Sequence, residues 1–318
     1  MAEKTRYGQL MITYRCSAAC RHCLVMAAPG QEPTLTRIED AVQYALDFQK
    51  LDRRIIIAGG EALLFFDHVL AMCRAINDAG VPIFFIESNG SWCTSDELVT
   101  ERLSLLRDAG LQGMYFSIDA YHQEFIRAER VFRGVCIARE LFGDAHVFAP
   151  RTTLEQAKEF ESVTKDPERL RKYVRAGRAT HFGRAGDELA PFVDPVSLDD
   201  LMTQDCREAL DVDNLAETLV DPFGYVRPDM CPGVNLGNTK CDRLCRLSTT
   251  KRVRETPLLA EVAERGPAVL LELAQRSGFS PRPSYSSKCH LCFEIRRHLV
   301  RQMPEKFGPR HLYEIVRG

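Results

Sequence analysis

Three cysteines lie within a short segment near the N-terminus, RCSAACRHC (15–23). Cys16, Cys20 and Cys23 have the spacing C-x3-C-x2-C. A short loop of this kind can place three thiolates on three irons of a cubane cluster, which leaves the fourth iron with an open coordination position. A closed zinc site needs a fourth ligand, and His22 is adjacent to Cys23 and poorly placed to share a tetrahedral ion with it. The spacing therefore favours an iron–sulfur cluster over zinc.

The cysteine content points to metal or redox chemistry in the rest of the chain as well. Nothing at the N-terminus resembles a signal peptide, so we expect a cytoplasmic protein, whose thiols stay reduced. The net charge of -2 gives no indication of nucleic-acid binding, and the apolar runs are too short to span a membrane. Six of the twelve cysteines form a second group: Cys206, Cys231, Cys241, Cys245, Cys289 and Cys292.

Short apolar runs alternate with amphipathic segments over residues 9–182. This alternation predicts βαβ units and a parallel sheet, in which the ligand site lies at the carboxyl ends of the strands. The predicted strands are 9–14, 54–58, 82–87 and 113–118, with weaker candidates at 146–148 and 180–182. The predicted helices are 37–50, with Thr36 as N-cap, 67–79 and 96–109.

Three further motifs stand where predicted strands end. They are Gly59-Gly60-Glu61, Ser88-Asn89-Gly90 and Ser117-Ile118-Asp119. Together with the cysteine loop, and in the same order along the chain, they resemble the signature of the radical S-adenosylmethionine (SAM) enzymes. The resemblance covers about residues 9–182.

This resemblance implies an α/β fold, a partial (βα)6 TIM-like barrel. It also implies a [4Fe–4S] cluster on Cys16, Cys20 and Cys23 that binds SAM through its amine and carboxylate. One electron, from a donor such as flavodoxin or ferredoxin, breaks the carbon–sulfur bond of SAM. The resulting 5′-deoxyadenosyl radical abstracts a hydrogen atom from the substrate.

The resemblance also assigns residues to the cofactor. Gly59 and Gly60 would let the backbone approach the methionine end of SAM, and Glu61 would help to hold its ammonium group. His22 stands where the family usually has an aromatic side chain against the adenine. The remaining assignments are Ser88 and Asn89 of the Ser-Asn-Gly turn, Ser117 as a ribose contact, and Arg184, which either binds a carboxylate or is a surface charge. Asp119 and His122 are a candidate proton-handling pair, or only caps of the following helix.

The alternation of predicted strands and helices ends near residues 187–195, so we predict two domains, 1–190 and 191–318. The second is predicted to be small and loop-rich and to fold around a metal. It resembles the SPASM or Twitch extension of radical SAM enzymes, whose Twitch pattern is a cysteine, a glycine turn, a cysteine and a later C-x2-C. The matching residues are Cys206, Gly224, Cys231, Cys289 and Cys292.

The Twitch resemblance implies an auxiliary [4Fe–4S] cluster on those four cysteines. Cys241 and Cys245 are then left over, or replace one of the four. The alternatives are two auxiliary clusters, and a zinc site built from any four of the six. Of the other cysteines, we predict Cys73 and Cys136 in the core and Cys93 close to the site. The charged side chains of Arg296, Arg297 and Arg301 are predicted to form a solvated face.

The leading hypothesis is thus an enzyme that performs a net oxidation or modification of a small molecule or peptide. The chain begins 15 residues before its first cluster cysteine, which favours a small molecule, or a ribosomal peptide delivered by a separate leader-binding partner. A second class is a non-catalytic iron–sulfur or zinc protein, such as an electron carrier or redox sensor. A third possibility keeps the enzyme but places zinc in the C-terminal region.

Overall fold

A computed structural model describes residues 6–177, 179–210, 215, 217–228, 231 and 233–314 of the chain. The contacts within it divide the chain into two compact units. The N-terminal unit comprises the described residues of 6–20 and 27–170, and the C-terminal unit those of 21–26 and 171–314. The predicted boundary at residue 190 falls inside the C-terminal unit, and so does Cys23 of the cysteine loop.

The N-terminal unit contains parallel strands that pair in chain order. The strands are β1 (Tyr7–Met11), β2 (Arg54–Ala58), β3 (Ile83–Ser88), β4 (Met114–Phe116) and β5 (Val147–Phe148). Each strand pairs with the next along the chain, from Tyr7 opposite Arg54 to Tyr115 opposite Phe148. An unbroken sequential order is the arrangement of a TIM-like barrel, whereas a doubly wound sheet reverses its order at a switch point. The predicted α/β fold of the partial-barrel type is therefore confirmed.

The predicted sixth strand is absent from the described part of the chain, because residues 180–182 are irregular. Phe182 is buried, and its ring packs edge-on against that of Phe293 with the centroids 5.2 Å apart. The packing of its side chains within the C-terminal unit therefore outweighs the strand propensity of this segment.

Helices separate the strands of the N-terminal unit and follow the amphipathic pattern of the sequence. They are α1 (Ile38–Gln49), α2 (Phe66–Asp78), α3 (Asp96–Asp108), α4 (Ala120–Gln123), α5 (Ala128–Phe142) and α6 (Leu154–Val163), with 3-10 helices at Ala62–Phe65 and Asp144–His146. Helix α3 shows the local causes. The Ser95 hydroxyl accepts a hydrogen bond from the Leu98 N–H, and Val99, Leu103 and Leu106 form the buried face.

Two local predictions in this unit are wrong. Thr36 does not cap α1, because its hydroxyl donates to the Met11 carbonyl (2.7 Å) and Arg37 occupies the N-cap position. Cys136 is exposed, because it follows Val135 on α5 and points away from the face that buries Val135 and Ala138. Cys73 is in the core, as predicted.

The chain passes from one unit to the other within α7 (Pro167–Arg175). The C-terminal unit contains an antiparallel ribbon, β7 (Glu217–Val220), β8 (Tyr225–Pro228) and β9 (Gly237–Asn238), and an antiparallel pair, β6 (Val196–Ser197) and β10 (Ser284–Tyr285). Its helices are α8 (Arg184–Glu188), α9 (Leu198–Met202), α10 (Arg207–Leu210), α11 (Leu244–Leu247), α12 (Thr250–Glu255), α13 (Pro257–Arg265), α14 (Pro267–Gln275), α15 (Lys288–Leu299) and α16 (Pro304–Phe307), with 3-10 helices at Ala190–Phe192 and Arg310–Tyr313.

The prediction of a loop-rich C-terminal domain is therefore wrong for residues 244–275 and 288–299, whereas the predicted loop at 278–287 has only the two-residue strand β10. Proline occupies the first turn of α13 and α14, where its missing N–H costs no hydrogen bond. Both helices bury apolar side chains, among them Val262 and Leu270. Across the described residues, we find no helix with the length and apolar character needed to cross a bilayer.

The exit of β2 packs directly on the exit of β1. The Gly60 N–H donates to the Thr13 carbonyl (2.7 Å), and the Glu61 N–H donates to the Arg15 carbonyl (3.0 Å). A Cβ atom on Gly60 would lie 2.2 Å from the Arg15 carbonyl oxygen, well inside van der Waals contact. Gly60 thus permits the two backbones to approach one residue before Cys16.

We expect Gly60→Ala to destabilise the chain by about 1–3 kcal/mol and to lower the iron bound per chain, because the added methyl group displaces Arg15 and the cysteine after it. Gly80→Ala is the matched control. Its Cβ meets no atom within 4 Å, so it introduces only the strain of a φ of +77°. Denaturant unfolding and iron analysis of both variants test this, and equal iron loading would contradict it.

Candidate active site

The first cysteine of the loop, Cys16, follows the end of β1 by five residues. The Cys16 N–H donates to the Ala28 carbonyl (3.2 Å), and the Ala28 N–H donates to the Tyr14 carbonyl (3.4 Å), so two backbone hydrogen bonds close the base of the loop. Cys16 and Cys20 are buried. A loop of this size between fixed ends can present several thiolates to one cluster.

The turn after β3 contacts this loop. The Asn89 side-chain amide donates to the Ser17 hydroxyl (3.1 Å) and lies 3.5 Å from Cys16 Sγ, within hydrogen-bonding range of sulfur. Its carbonyl oxygen accepts from the Ser91 N–H (2.9 Å). The Ser17 and Ser91 hydroxyls are 2.8 Å apart. The structure thus brings together Cys16 and Asn89, two residues of different predicted motifs.

Glu61 joins the end of β2 to the end of β3. Its carboxylate is buried and accepts hydrogen bonds from the Ser88 hydroxyl (3.1 and 3.2 Å), the Asn89 N–H (2.7 Å) and the Leu63 N–H (3.2 Å). Burial raises the pKa of Glu61 to about 7, against the opposing effect of these hydrogen bonds. The Ser88 hydroxyl also accepts from the indole N–H of Trp92 (2.9 Å). The structure shows that Glu61 and Ser88 are hydrogen-bonded to each other. Their contacts with SAM stay predictions.

The motif after β4 supplies both a helix cap and an acid–base pair. One Asp119 oxygen accepts from the N–H groups of Tyr121 (2.8 Å) and His122 (3.0 Å), which caps α4. The other lies 2.7 Å from His122 Nδ1. Burial lowers the pKa of His122, but the carboxylates of Asp119 and Glu61 outweigh this effect and the net shift is upward. The Ser117 N–H donates to the Ser88 carbonyl (3.0 Å), so this turn also adjoins the one after β3.

Two of the predicted cofactor residues lie in the C-terminal unit with Cys23. The Arg184 N–H donates to the Cys23 carbonyl (3.3 Å), and a Cβ on Gly183 would lie 2.6 Å from that oxygen. Arg184 is fully buried, so the alternative of a surface charge is excluded. His22 is half-buried, and its contact with the adenine stays a prediction, as do the ligand contacts of Gly59 and Arg184.

Cys93, predicted to be close to the site, is a core thiol. Its sulfur would lie 2.7 Å from a Cβ on Gly134, so the glycine in α5 makes room for it. Burial raises the pKa of Cys93, which keeps it as a neutral thiol.

The C-terminal unit gathers a second set of cysteines. Cys206 precedes α10, and its N–H donates to the Ala263 carbonyl (2.9 Å). Cys231 follows the β7–β8 hairpin, whose turn contains Gly224 at a φ of +85°. Cys289 and Cys292 lie on α15. One cavity is lined by all four of these cysteines, together with Thr180, Phe182, Ala209, Lys288 and Arg296.

Burial opposes ionisation of the thiols around this cavity more strongly than the cations Lys288 and Arg296 favour it. Burial raises the pKa of Cys206 to about 11 and that of Cys292 to about 12, and the pKa of Cys289 is raised for the same reason. The neighbouring sulfurs raise all three further. A metal ion or cluster would supply the positive charge that four thiolates need, so the residues fit a four-cysteine metal site.

The two remaining cysteines of this group lie elsewhere. Cys241 is exposed and Cys245 is half-buried, and neither lines the cavity. The structure therefore groups the four cysteines that the Twitch pattern selects and separates the two that it leaves over. Whether the cavity holds iron–sulfur or zinc stays a prediction.

Arg296 was missed by the sequence analysis. The prediction of a solvated face holds for Arg301, which is exposed, but Arg296 is buried and lines the cysteine cavity. The signal was the helical spacing, since residue 296 follows Cys289 by seven residues and Cys292 by four and so shares their face of α15.

Comparison with known proteins finds a family match in the N-terminal part of the chain. Residues 10–160, just under half of the chain, match the model of the Radical SAM superfamily. A search of curated protein sequences finds no match. Two solved structures align with most of the chain. BtrN in complex with AdoMet and 2-DOIA has a TM-score of 0.45 and 15% identity, covering 84% of this chain and 90% of its own. Histidine-tagged anSMEcpe with bound AdoMet has a TM-score of 0.43 and 13% identity, covering 94% of this chain and 98% of its own.

The raised pKa of Glu61 predicts a pH-dependent contribution to folding. Because the folded state holds this proton up to about pH 7 and the unfolded state releases it near 4.5, the contribution is full at low pH and is lost as the pH rises through 7. The stability difference between wild type and Glu61→Gln should therefore change by about 2 kcal/mol between roughly pH 5.5 and 8, in favour of the variant at high pH. Urea unfolding of the apo chain at both pH values measures it, and a constant difference would refute the assignment.

Proposed function

Because residues 10–160 match the model of the Radical SAM superfamily, we propose that the chain is a radical SAM enzyme with an auxiliary iron–sulfur cluster. Its Cys16, Cys20 and Cys23 would hold the cluster that binds SAM. Cys206, Cys231, Cys289 and Cys292 would hold the auxiliary cluster of a SPASM/Twitch-like domain. The substrate would be a small molecule or a peptide that undergoes a net oxidation or modification.

The observation that carries this proposal is the contact network around Cys16. The loop with the C-x3-C-x2-C spacing lies within the matched segment, and residues of two further motifs, Glu61 and Asn89, connect to it through hydrogen bonds. A neutral N–H donor beside a thiolate stabilises its negative charge without the desolvation cost of a second ion. Such a network fits a thiolate ligand better than a free thiol.

When bound, a [4Fe–4S] cluster with one open iron would supply the electron for the reductive cleavage of SAM to methionine and a 5′-deoxyadenosyl radical. The chain's own residues have other tasks. The closed base of the loop fixes Cys16 relative to β1, and Asn89 orients its sulfur. Asp119 holds His122 at Nδ1, so the imidazole is oriented and its pKa is raised, as a group that accepts a substrate proton requires. We propose this pair as the proton-handling residues.

The auxiliary site is proposed from the four cysteines that line one cavity. Such a cluster, ligated by four thiolates, has no open position for SAM and is suited to electron transfer or to substrate binding. A net oxidation leaves an electron on the substrate, and the auxiliary cluster would accept it. We expect flavodoxin or ferredoxin as the electron donor to the SAM-binding cluster and a cytoplasmic location, where these reduced carriers and thiols coexist.

Radical SAM activity is tested by replacing Cys16, Cys20 and Cys23 with alanine together. Anaerobically reconstituted, dithionite-reduced wild type should convert SAM to 5′-deoxyadenosine, and the triple variant should make none. The triple variant should still retain about four irons per chain if the second site holds a [4Fe–4S] cluster. A wild type that binds iron but never forms 5′-deoxyadenosine would favour a non-catalytic electron carrier or redox sensor.

The auxiliary ligands are tested within that triple variant, where only the second site can bind iron. Adding Cys206→Ala or Cys289→Ala should remove most of the remaining iron, because a buried cluster that loses one thiolate is left incompletely ligated. Cys241→Ala and Cys245→Ala are the matched controls and should keep it. Iron, sulfide and zinc analysis measures the result. Loss of iron in a control variant would show that Cys241 or Cys245 is a ligand. Zinc in place of iron would be compatible with SAM cleavage but would exclude an auxiliary redox cluster.

A further inference from the structure

A buried guanidinium lies among the four cysteines of the C-terminal unit. Arg296 is 3% exposed, and its Nη2 lies 3.5 Å from Cys231 Sγ, within hydrogen-bonding range. It shares one face of α15 with Cys289 and Cys292. Arginine is almost never fully buried unless it is paired with a negative charge.

The protein forms a slot for this side chain. The guanidinium carbon lies 5.3 Å from the centre of the Phe182 ring. On another side, a Cβ on Gly233 would lie 2.0 Å from Nη1 of Arg296 and 2.7 Å from the Phe182 ring. Glycine at position 233, two residues after Cys231, therefore leaves the space that the guanidinium occupies.

No carboxylate compensates this charge within the described part of the chain. The Nε and Nη1 atoms of Arg296 are buried without a hydrogen-bond partner there. Its neighbour Arg297, in contrast, forms an ion pair with Asp187. Lys288, the other cation of the cavity, donates to the Asp205 carbonyl. A buried unpaired cation costs several kcal/mol, so the compensating negative charge must come from the cysteines.

We propose that Arg296 is the counter-charge of the auxiliary centre and sets its reduction potential. This inference rests on the proposed function, because it requires an iron–sulfur cluster on these four cysteines. A [4Fe–4S] cluster with four thiolate ligands is an anion, and reduction adds one more negative charge. A fixed cation and an N–H donor to Cys231 Sγ stabilise the reduced form more than the oxidised form. Arg296 therefore raises the potential, which favours electron acceptance from a substrate.

The test uses the full-length, iron-loaded chain with Cys16, Cys20 and Cys23 replaced by alanine, so that only the auxiliary cluster is observed. Arg296→Met removes the charge and keeps the apolar stem. Arg296→Lys keeps the charge but loses the planar fork. Arg297→Met is the matched control, because it removes an arginine at the next position whose partners are Asp187 and the Phe293 ring. Redox titration followed by electron paramagnetic resonance measures the potential of each.

Arg296→Met should lower the equilibrium constant for one-electron reduction of the auxiliary cluster by about tenfold or more. This corresponds to a shift of its reduction potential by about 59 mV or more to lower values. Arg296→Lys should fall between this variant and the parent, and Arg297→Met should match the parent. The iron content should stay the same in all four chains. A parent potential retained in Arg296→Met, or an equal shift in Arg297→Met, overturns the inference.

A second measurement covers the case in which Arg296→Met does not fold. The chain with Cys16, Cys20 and Cys23 replaced by alanine is labelled with ¹⁵N-arginine, and its reduced auxiliary cluster should show a nitrogen hyperfine coupling that is absent when Arg296→Lys is added. Absence of that coupling from the labelled parent overturns the inference while the cluster itself stands. A second site that holds zinc instead of iron refutes the auxiliary cluster and this inference together, but leaves the SAM cleavage test unaffected.

Discussion

The Glu61 carboxylate is the interaction on which the N-terminal site depends. It is buried, and it receives donors from the turn after β3 while its own N–H donates to the Arg15 carbonyl beside Cys16. Three strand ends are thereby fixed against one another, and Asn89 completes the connection by donating towards Cys16 Sγ. The chemistry of such a site needs the motifs to lie close together, and in this chain hydrogen bonds between the motifs keep them there. A residue expected to contact only the ligand thus also stabilises the fold that would bind it.

The strands and turns of this region can be predicted from the sequence for physical reasons. Each of the first four strands is an apolar run ended by a turn rich in glycine or small polar residues, and parallel strands bring such turns to one edge of the sheet. The contacts between the turns could not be predicted. That Gly60 lies against the Arg15 carbonyl depends on the pairing register of β1 and β2, which no single segment encodes.

The C-terminal unit was predicted less well because its evidence was compositional. Prolines, glycines and cysteines suggested loops, but proline at the first turn of α13 and α14 is compatible with helices whose apolar faces are buried. Arg296 shows the same limit. Three arginines within six residues are typical of a solvated face. Arg296, however, lies on the face of α15 that carries Cys289 and Cys292 and is buried, whereas Arg301 follows the end of the helix and is exposed. The grouping of the four cysteines, by contrast, followed from an ordered pattern.

The two proposed centres differ in the donor that the protein places beside a cysteine. Cys16 has a neutral amide, that of Asn89, and Cys231 has a cation, that of Arg296. A full positive charge in a low-dielectric surrounding stabilises a reduced cluster more strongly than a dipole does, because its interaction with the added electron falls off more slowly with distance. A cluster that must reduce SAM needs a low potential, and a cluster that accepts an electron from a substrate needs a higher one. A neutral amide beside Cys16 and a guanidinium beside Cys231 would therefore give the proposed auxiliary cluster the higher reduction potential of the two, as these two roles require.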